Sequence, residues 1–110
     1  MAGRKVVEYL KAGCSPFAQW FSGLEAHAAA KVTVALYRLK QGNVSHVKSV
    51  GKGVSEYKVD FGPGYRIYFG QEGDELVILL GGGSKKTQGK DIQAAHALWA
   101  EYKSSKARKK

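Results

Sequence analysis

The chain has 110 residues, of which 44% are hydrophobic and 25% are charged. This length supports one compact domain and is too short for two domains with separate cores, and the composition excludes a wholly disordered chain. The 18 Lys and Arg residues outnumber the nine Asp and Glu residues and give a formal net charge of +9. The charge predicts an acidic partner, which can be a nucleic acid, an anionic membrane or an acidic protein.

The sequence gives no sign of a membrane or secreted protein. No apolar run approaches the ~20 residues of a membrane-spanning helix, and no uninterrupted apolar stretch follows the basic N-terminus. The single cysteine, Cys14, excludes an internal disulfide and fits a reducing compartment. We therefore expect a cytoplasmic protein that does not contact the membrane.

The first half of the chain predicts one strand and two helices. Residues 5–10 are rich in β-branched and aromatic side chains, which is typical of a strand. Ser15 and Pro16 predict the start of a helix. Apolar side chains then follow at helical spacing: Phe17, Trp20, Phe21 and Leu24. A second amphipathic helix is expected over residues 25–41, ended by Gly42, so the two helices form a hairpin.

The second half predicts a loop, three strands and a helix. Residues 42–53 are rich in Gly, Ser, Asn and Lys, which favours a surface loop carrying His46, Lys48 and Lys52. Three strand-like runs follow at 54–61, 65–69 and 76–80, separated by glycine-rich turns, and predict an antiparallel meander. The third run is apolar throughout and is expected to be buried on both faces. Ile92, Ala95, Trp99 and Tyr102 form the apolar stripe of a last helix.

The predicted order is therefore β-α-α-β-β-β-α, with helices packed on a largely antiparallel sheet, which defines an α+β domain. We expect a single domain over residues 1–103. Residues 104–110 are predicted to form a basic, flexible tail.

Alternation along the hairpin predicts which side chains share a face. If Phe61 opposes Tyr65 across a three-residue loop, the apolar side chains lie on one face and the polar ones on the other. Arg66 then pairs with Asp60 across the strands. One interpretation is an exposed structural ion pair worth only ~0 to 1 kcal/mol. The other is a phosphate site on an uncovered sheet face.

The segment after the third strand favours the second interpretation. Gly81, Gly82 and Gly83 predict a loop whose backbone can approach a ligand closely. Lys85 and Lys86 follow beside Ser, Thr and Gln, and these side chains offer charge and hydrogen-bond donors to a phosphate. The spacing differs from that of a P-loop, so nucleotide binding of that type is not expected.

Two motifs carry a resemblance to a known family. GVSEYKVDFGPGYRIYFG at residues 53–70 and LLGGGSKKTQ at residues 79–88 resemble the signature of the HigB-type addiction module killer proteins, a branch of the RelE/ParE toxin superfamily. Pro16-Phe17 before Trp20 and Gly42-Asn43 after the second helix extend the similarity over nearly all of the chain up to Tyr102.

The resemblance implies a RelE-like fold and the toxin of a type II toxin–antitoxin system. Such toxins are metal-independent endoribonucleases, or mRNA interferases, that act on the ribosome without a cofactor. They direct a ribose 2′-hydroxyl onto the adjacent phosphate. Arg66 matches the family's arginine after Gly-Tyr, and Lys86 or Lys85 matches its basic position after the last strand; all are expected to stabilise the phosphate in the transition state. Lys58 lies where relatives carry Lys or Arg.

The general base stays open among several residues. RelE itself uses a tyrosine early in its last helix, and the corresponding residues 89–92 contain none. Lys58 can act as a base only if neighbouring cations favour its neutral form. His46 lies in a basic loop, and histidine exchanges protons near neutral pH. Asp60 is either the base or a group that orients Arg66. Further RNA contacts are expected from Lys48, Lys52, Tyr65, Tyr68 and Lys90.

The resemblance also implies partners and leaves two other functions open. A cognate antitoxin of the helix-turn-helix, HigA-like kind is expected to cover the positive face, and the ribosome and its mRNA are the expected targets. One alternative is a non-catalytic, ParE-like toxin that inhibits DNA gyrase. The other is an inactive basic relative that binds RNA or protein.

Overall fold

A strand and a helical hairpin form the first part of the chain, as predicted. The computed structural model describes residues 4–73 and 76–108. The first elements are β1 (Lys5–Glu8), α1 (Pro16–Ser22) and α2 (Ala26–Lys40). The hydroxyl of Ser15 accepts a hydrogen bond from the backbone N–H of Ala18 at 2.9 Å and so caps α1.

The remaining elements complete an α+β fold. They are β2 (Val47–Ser49), β3 (Val54–Val59), β4 (Tyr65–Glu72), β5 (Leu76–Ser84), a single 3-10 turn (Lys85–Thr87) and α3 (Gln88–Arg108). The five strands form one sheet in the order β1-β5-β4-β3-β2, in which β1 is parallel to β5 and the other neighbours are antiparallel. The predicted class and the β3-β4-β5 meander are confirmed. The short β2 lies inside the predicted loop, because three residues are too few for alternation to be recognised.

Two apolar clusters cover the two faces of the sheet. On one face, α1 and α2 pack against the sheet through Phe17, Val32 and Leu39. On the other face, α3 packs through Ala95 and Trp99. As predicted for β5, residues 77–80 are buried, and they alternate between the two clusters.

The hairpin register differs from the prediction by two residues. Arg66 lies opposite Lys58, and Tyr68 lies opposite Glu56. The predicted pairing of Arg66 with Asp60 is therefore wrong, because the loop runs from residue 60 to residue 64 and β3 ends before Asp60. A shift of two residues keeps every side chain on its predicted face and changes only its partners.

The sheet face that carries Arg66 is not uncovered, contrary to the prediction. Tyr68 and Glu56 on that face are each 1% exposed, and Arg66 is 6% exposed. The helix α3 is also longer than predicted and continues through Arg108, into the segment predicted as a flexible tail. Lys106 on α3 forms an ion pair with Glu72 at the end of β4. Lys109 and Lys110 lie outside the described residues.

The predicted glycine loop is part of a strand. Gly82 belongs to β5, and a Cβ atom placed there would lie 2.3 Å from a ring carbon of Trp20. A Cβ atom placed on Gly83 would lie only 1.8 Å from a carboxylate oxygen of Asp91. Gly82 and Gly83 therefore make room for side chains of this chain, and they lie in a strand where a loop was predicted. None of the described helices is both long enough and apolar enough to cross a bilayer.

Candidate functional site

A shallow groove of 320 Å³ lies at the end of β3 and β4 that is nearest the hairpin loop. It is lined by residues from the β2 region, β3 and β4: Ser45, His46, Val47, Lys48, Glu56, Lys58 and Arg66. The side chain of Lys58 is exposed, whereas Glu56 on the same face is buried. The cover that α3 provides therefore ends between these two residues, and the groove begins there.

A buried carboxylate, that of Glu56, lies at the floor of the groove. Its Oε1 accepts a hydrogen bond from Nε2 of Gln88 at 2.8 Å and lies 3.7 Å from Nε of Arg66. Its Oε2 lies 3.9 Å from Nζ of Lys48. A buried charge is tolerated only when such partners replace the lost water. The sequence analysis assigned no role to Glu56, although an acidic residue on the same face as Lys58 and Arg66 was the available signal.

The guanidinium of Arg66 is held in place by the hairpin loop and by Glu56. Its Nη1 donates a hydrogen bond to the carbonyl of Gly64 at 3.1 Å. Its Nε makes no hydrogen bond within the described residues. Arg66 thus lines the groove as an oriented cation, although most of its surface is buried.

The two lysines after β5 are anchored next to Arg66. The backbone N–H of Lys85 donates to the carbonyl of Gly64 at 2.8 Å, and this is the carbonyl that also accepts the bond from Arg66. Both Lys85 and Lys86 are exposed, and neither lines the groove. They add positive charge beside it.

His46 and Lys58 are joined at the edge of the sheet. The carbonyl of His46 accepts a hydrogen bond from the N–H of Lys58 at 3.0 Å, and both side chains are exposed. Each of them also lines a second groove, which Asp60 lines as well. The structure thus brings together Lys48, His46, Lys58 and Arg66, while Asp60 faces the neighbouring groove.

Three other predicted RNA contacts, Lys52, Lys90 and Tyr65, lie outside the groove. Lys52 precedes β3 at the opposite end of that strand from Lys58, and Lys90 is an exposed residue of α3. Tyr65 packs on the opposite face of the sheet, with its ring centroid 6.3 Å from that of Trp20.

The predicted outward position of Tyr68 is wrong. Its side chain is buried in the apolar cluster with α3. Burial raises the pKa of its hydroxyl above the usual value, and the negative charges of Glu56 and Asp91 raise it further. The hydroxyl is therefore neutral at physiological pH and does not face a ligand.

The charges around the groove favour a bound anion. Three cationic side chains, Lys48, Lys58 and Arg66, surround one carboxylate, Glu56. In residues 4–73 and 76–108, no three or more His, Cys, Asp or Glu side chains are grouped to hold a metal ion. The fold and the groove define a small basic α+β protein with a cationic groove at one end of its sheet.

Comparison with known proteins shows the family. A family described as "Phage derived protein Gp49-like (DUF891)" matches residues 19–101, which include the whole groove. A protein of Haemophilus influenzae described as "Uncharacterized protein" is 44% identical over 86 residues, covering 77% of this chain and 87% of the relative. The chain belongs to the Gp49-like phage-derived family, a RelE/HigB-like family of toxins in toxin–antitoxin systems.

Proposed function

We propose that this protein is the toxin of a toxin–antitoxin pair of the HigB type and that it cleaves messenger RNA on the ribosome. The observation that carries the proposal is the cationic groove, in which Lys48, Lys58 and the oriented Arg66 meet beside His46. Membership of a RelE/HigB-like family supports the same function.

The proposed reaction uses the RNA's own ribose as the nucleophile. The 2′-hydroxyl oxygen attacks the adjacent phosphorus, the bond from phosphorus to the 5′-oxygen breaks, and a 2′,3′-cyclic phosphate and a free 5′-hydroxyl result. Arg66 and Lys48 stabilise the extra negative charge on the phosphoryl oxygens in the transition state. No cofactor takes part in this reaction.

Proton transfer is assigned to the two exposed residues at the edge of the groove. His46 accepts the proton of the 2′-hydroxyl, because a neutral imidazole is a competent base near neutral pH. Lys58 is bonded to His46 through the backbone and delivers a proton to the leaving 5′-oxygen. Lys85 and Lys86 contact flanking phosphates.

The net charge of +9 supports two acidic partners. One is the ribosome with its bound mRNA, because a basic surface is attracted to RNA phosphates at long range. The other is a cognate antitoxin, which we propose to be a helix-turn-helix, HigA-like protein that covers the groove.

Induced expression in a bacterial host with mapping of RNA 5′ ends tests the proposal. Wild-type protein should arrest growth and create new ends that can be ligated only after phosphorylation, because the reaction leaves a 5′-hydroxyl. Lys58→Ala and Arg66→Ala should abolish both effects. Lys5→Ala removes an exposed cation from β1, at the far edge of the sheet, and should behave as wild type.

Because Arg66 is buried, the exposed Lys58 provides the variant that is expected to fold normally. Full killing by a folded Lys58→Ala variant together with a folded Arg66→Lys variant would refute the assignment. Growth arrest with broken DNA and no new RNA ends would identify a gyrase inhibitor instead. Normal growth on strong induction would identify an inactive relative.

A further inference from the structure

A second groove of 380 Å³ lies between α2 and β3. Its walls include Lys31, Val34 and Arg38 from α2, and Tyr57 from β3. His46 and Lys58 line this groove as well as the first one. The two grooves therefore adjoin at the edge of the sheet.

The helical wall of the second groove presents two cations on one face. Lys31 and Arg38 are seven residues apart in α2, so they lie on the same side of the helix and about 10 Å apart along its axis. Val34 lies between them and is 45% exposed. Nζ of Lys31 lies 5.6 Å from the centroid of the Phe61 ring. This wall offers positive charge at both ends and an apolar surface in the middle.

The strand wall contains a buried hydroxyl without a partner. Tyr57 is 2% exposed, and its hydroxyl makes no hydrogen bond within the described residues. An unpaired buried hydroxyl costs free energy that a bound polar group can recover. The ring of His46 lies beside Tyr57, with centroids 5.7 Å apart, and offers an aromatic surface.

We propose that the second groove binds a nucleotide that flanks the cleaved dinucleotide in single-stranded RNA. The inference rests on the proposed function. Lys31 and Arg38 contact phosphates, the surface formed by Val34 and His46 contacts the base, and Tyr57 offers its hydroxyl to a polar group of the nucleotide. The cations Lys31, Arg38 and Lys58 outnumber the single carboxylate of Asp60, which favours an anion over a neutral apolar peptide.

The placement of the grooves favours a single strand over a duplex. Tyr57 belongs to the apolar cluster on the α1–α2 face of the sheet, whereas Glu56 and Arg66 lie on the α3 face. A ligand that occupies both grooves must turn around the edge of the sheet past His46 and Lys58. A flexible single strand can make this turn, and a stiff A-form duplex cannot.

Binding of 2′-O-methyl RNA, which lacks the attacking hydroxyl, tests the inference without cleavage. Affinities of a dinucleotide and a hexanucleotide are measured by calorimetry for the wild type, Lys31→Glu, Arg38→Glu and Lys5→Glu. Lys5 is exposed at the opposite edge of the sheet, so Lys5→Glu matches the change in net charge. Tyr57→Phe serves as an uncharged variant.

For the hexanucleotide, Lys31→Glu and Arg38→Glu should each weaken binding about five- to tenfold more than Lys5→Glu does, because each removes a phosphate contact. The slope of log Kd against log salt should also fall by roughly 0.7 per lost contact. The dinucleotide fills only the first groove, so these variants should bind it with the same affinity as Lys5→Glu does. Tyr57→Phe should weaken only hexanucleotide binding.

Three results would overturn the inference. The first is that Lys31→Glu and Arg38→Glu bind the hexanucleotide as tightly as Lys5→Glu does. The second is that these two variants lose as much affinity for the dinucleotide as for the hexanucleotide, which would place the effect in the first groove. The third is no hexanucleotide binding by the wild type. If the first result comes with lost binding of a co-expressed antitoxin, the groove is a protein-docking surface. Cleavage itself is judged separately by end mapping on ribosomes.

Discussion

At the scale of single residues, Glu56 links the parts of the groove. Its carboxylate contacts Arg66 on β4, Lys48 on β2 and Gln88 at the start of α3. Because Gln88 directly follows the turn that carries Lys85 and Lys86, one buried charge positions cations from three segments of the chain. Glu56 is therefore a positioning residue for the proposed phosphate site.

Replacing Glu56 with Gln should weaken both the fold and the site. The amide keeps a hydrogen-bonding group but leaves the buried Arg66 without its counter-charge, so the free energy of unfolding should fall by about 1–3 kcal/mol. Toxicity should fall with it. Urea denaturation of the single variants and of the double variant with Arg66→Gln measures the coupling. A coupling energy near zero would show that the two side chains act independently.

The buried hydroxyl of Tyr68 should make the stability of the fold depend on pH in the alkaline range. Its pKa is raised by burial, and the unfolded value is close to 10.0. The stability from its neutral hydroxyl is thus fully present below about pH 10 and is lost as the pH rises, because the unfolded chain releases the proton first. Tyr68→Phe should be at least as stable as the wild type near neutral pH, because the hydroxyl that it removes makes no hydrogen bond within the described residues.

Above about pH 10, Tyr68→Phe should lose stability more slowly than the wild type, by up to about 1.4 kcal/mol per pH unit. Urea unfolding at neutral pH and near pH 11 compares the two proteins. Parallel stability curves would contradict the assignment of Tyr68 as a buried neutral phenol.

At the scale of elements, the glycines of β5 allow two helices to approach the sheet. Trp20 of α1 lies over Gly82, and Asp91 of α3 lies over Gly83. Gly70 of β4 has the same role under Trp99, whose ring would lie 2.3 Å from an added Cβ. Close approach of helix to sheet, and not contact with a ligand, accounts for these glycines.

Gly82→Ala should therefore destabilise the protein. Three ring atoms of Trp20 lie 2.3, 2.4 and 2.6 Å from the position of the new Cβ, so the indole or the backbone must move at a cost of about 1–3 kcal/mol. Gly89→Ala is the control, because Gly89 lies in α3 with no atom within 4 Å of an added Cβ. Gly89→Ala should raise the free energy of unfolding by roughly 0.5–1 kcal/mol. Thermal unfolding compares the variants, and an unchanged Tm for Gly82→Ala would contradict the packing argument.

At the scale of the whole molecule, the positive charge is balanced locally by ion pairs between elements. Glu72 of β4 binds Lys106 near the end of α3, and Glu101 of α3 binds Lys11 in the segment after β1. The pKa of Glu72 is lowered by the bond from Lys106, and the pKa of Glu101 is lowered by the bond from Lys11. These contacts tie α3 to two ends of the sheet.

Acid should therefore destabilise the protein. The two carboxylates have an ordinary pKa of 4.5 and a lower one in the folded state, so their contribution is present above that value and is lost as the pH falls through the lowered pKa. Protonation also removes negative charge that opposes the 18 Lys and Arg residues. The urea concentration at the unfolding midpoint should decrease as the pH is lowered from about 5 to about 3. Added salt should restore part of this loss.

Glu72→Gln should lose less stability than the wild type over this interval, because it lacks one of the linked carboxylates. An acid-independent urea midpoint, or equal losses in the two proteins, would argue that these pairs make no net contribution.

The sequence by itself determined the α+β class, most of the core and the order of the elements except the short β2. These features follow from local patterns: helical spacing around Phe17 and Trp99, alternation in β3 and β4, and the apolar run of β5. Membership of the Gp49-like family then agrees with the resemblance to RelE-like toxins that the motifs carried.

Only the tertiary structure decided how the groove is composed. The loop of residues 60–64 shifted the register and separated Asp60 from Arg66, and α3 covered Tyr68 and Glu56. Loop length and helix cover depend on contacts between residues far apart in the chain, which a local pattern does not contain. Side-chain alternation predicted the face of each residue correctly, because it has a period of two, and it left the partner and the burial of each residue to the packing of the whole domain.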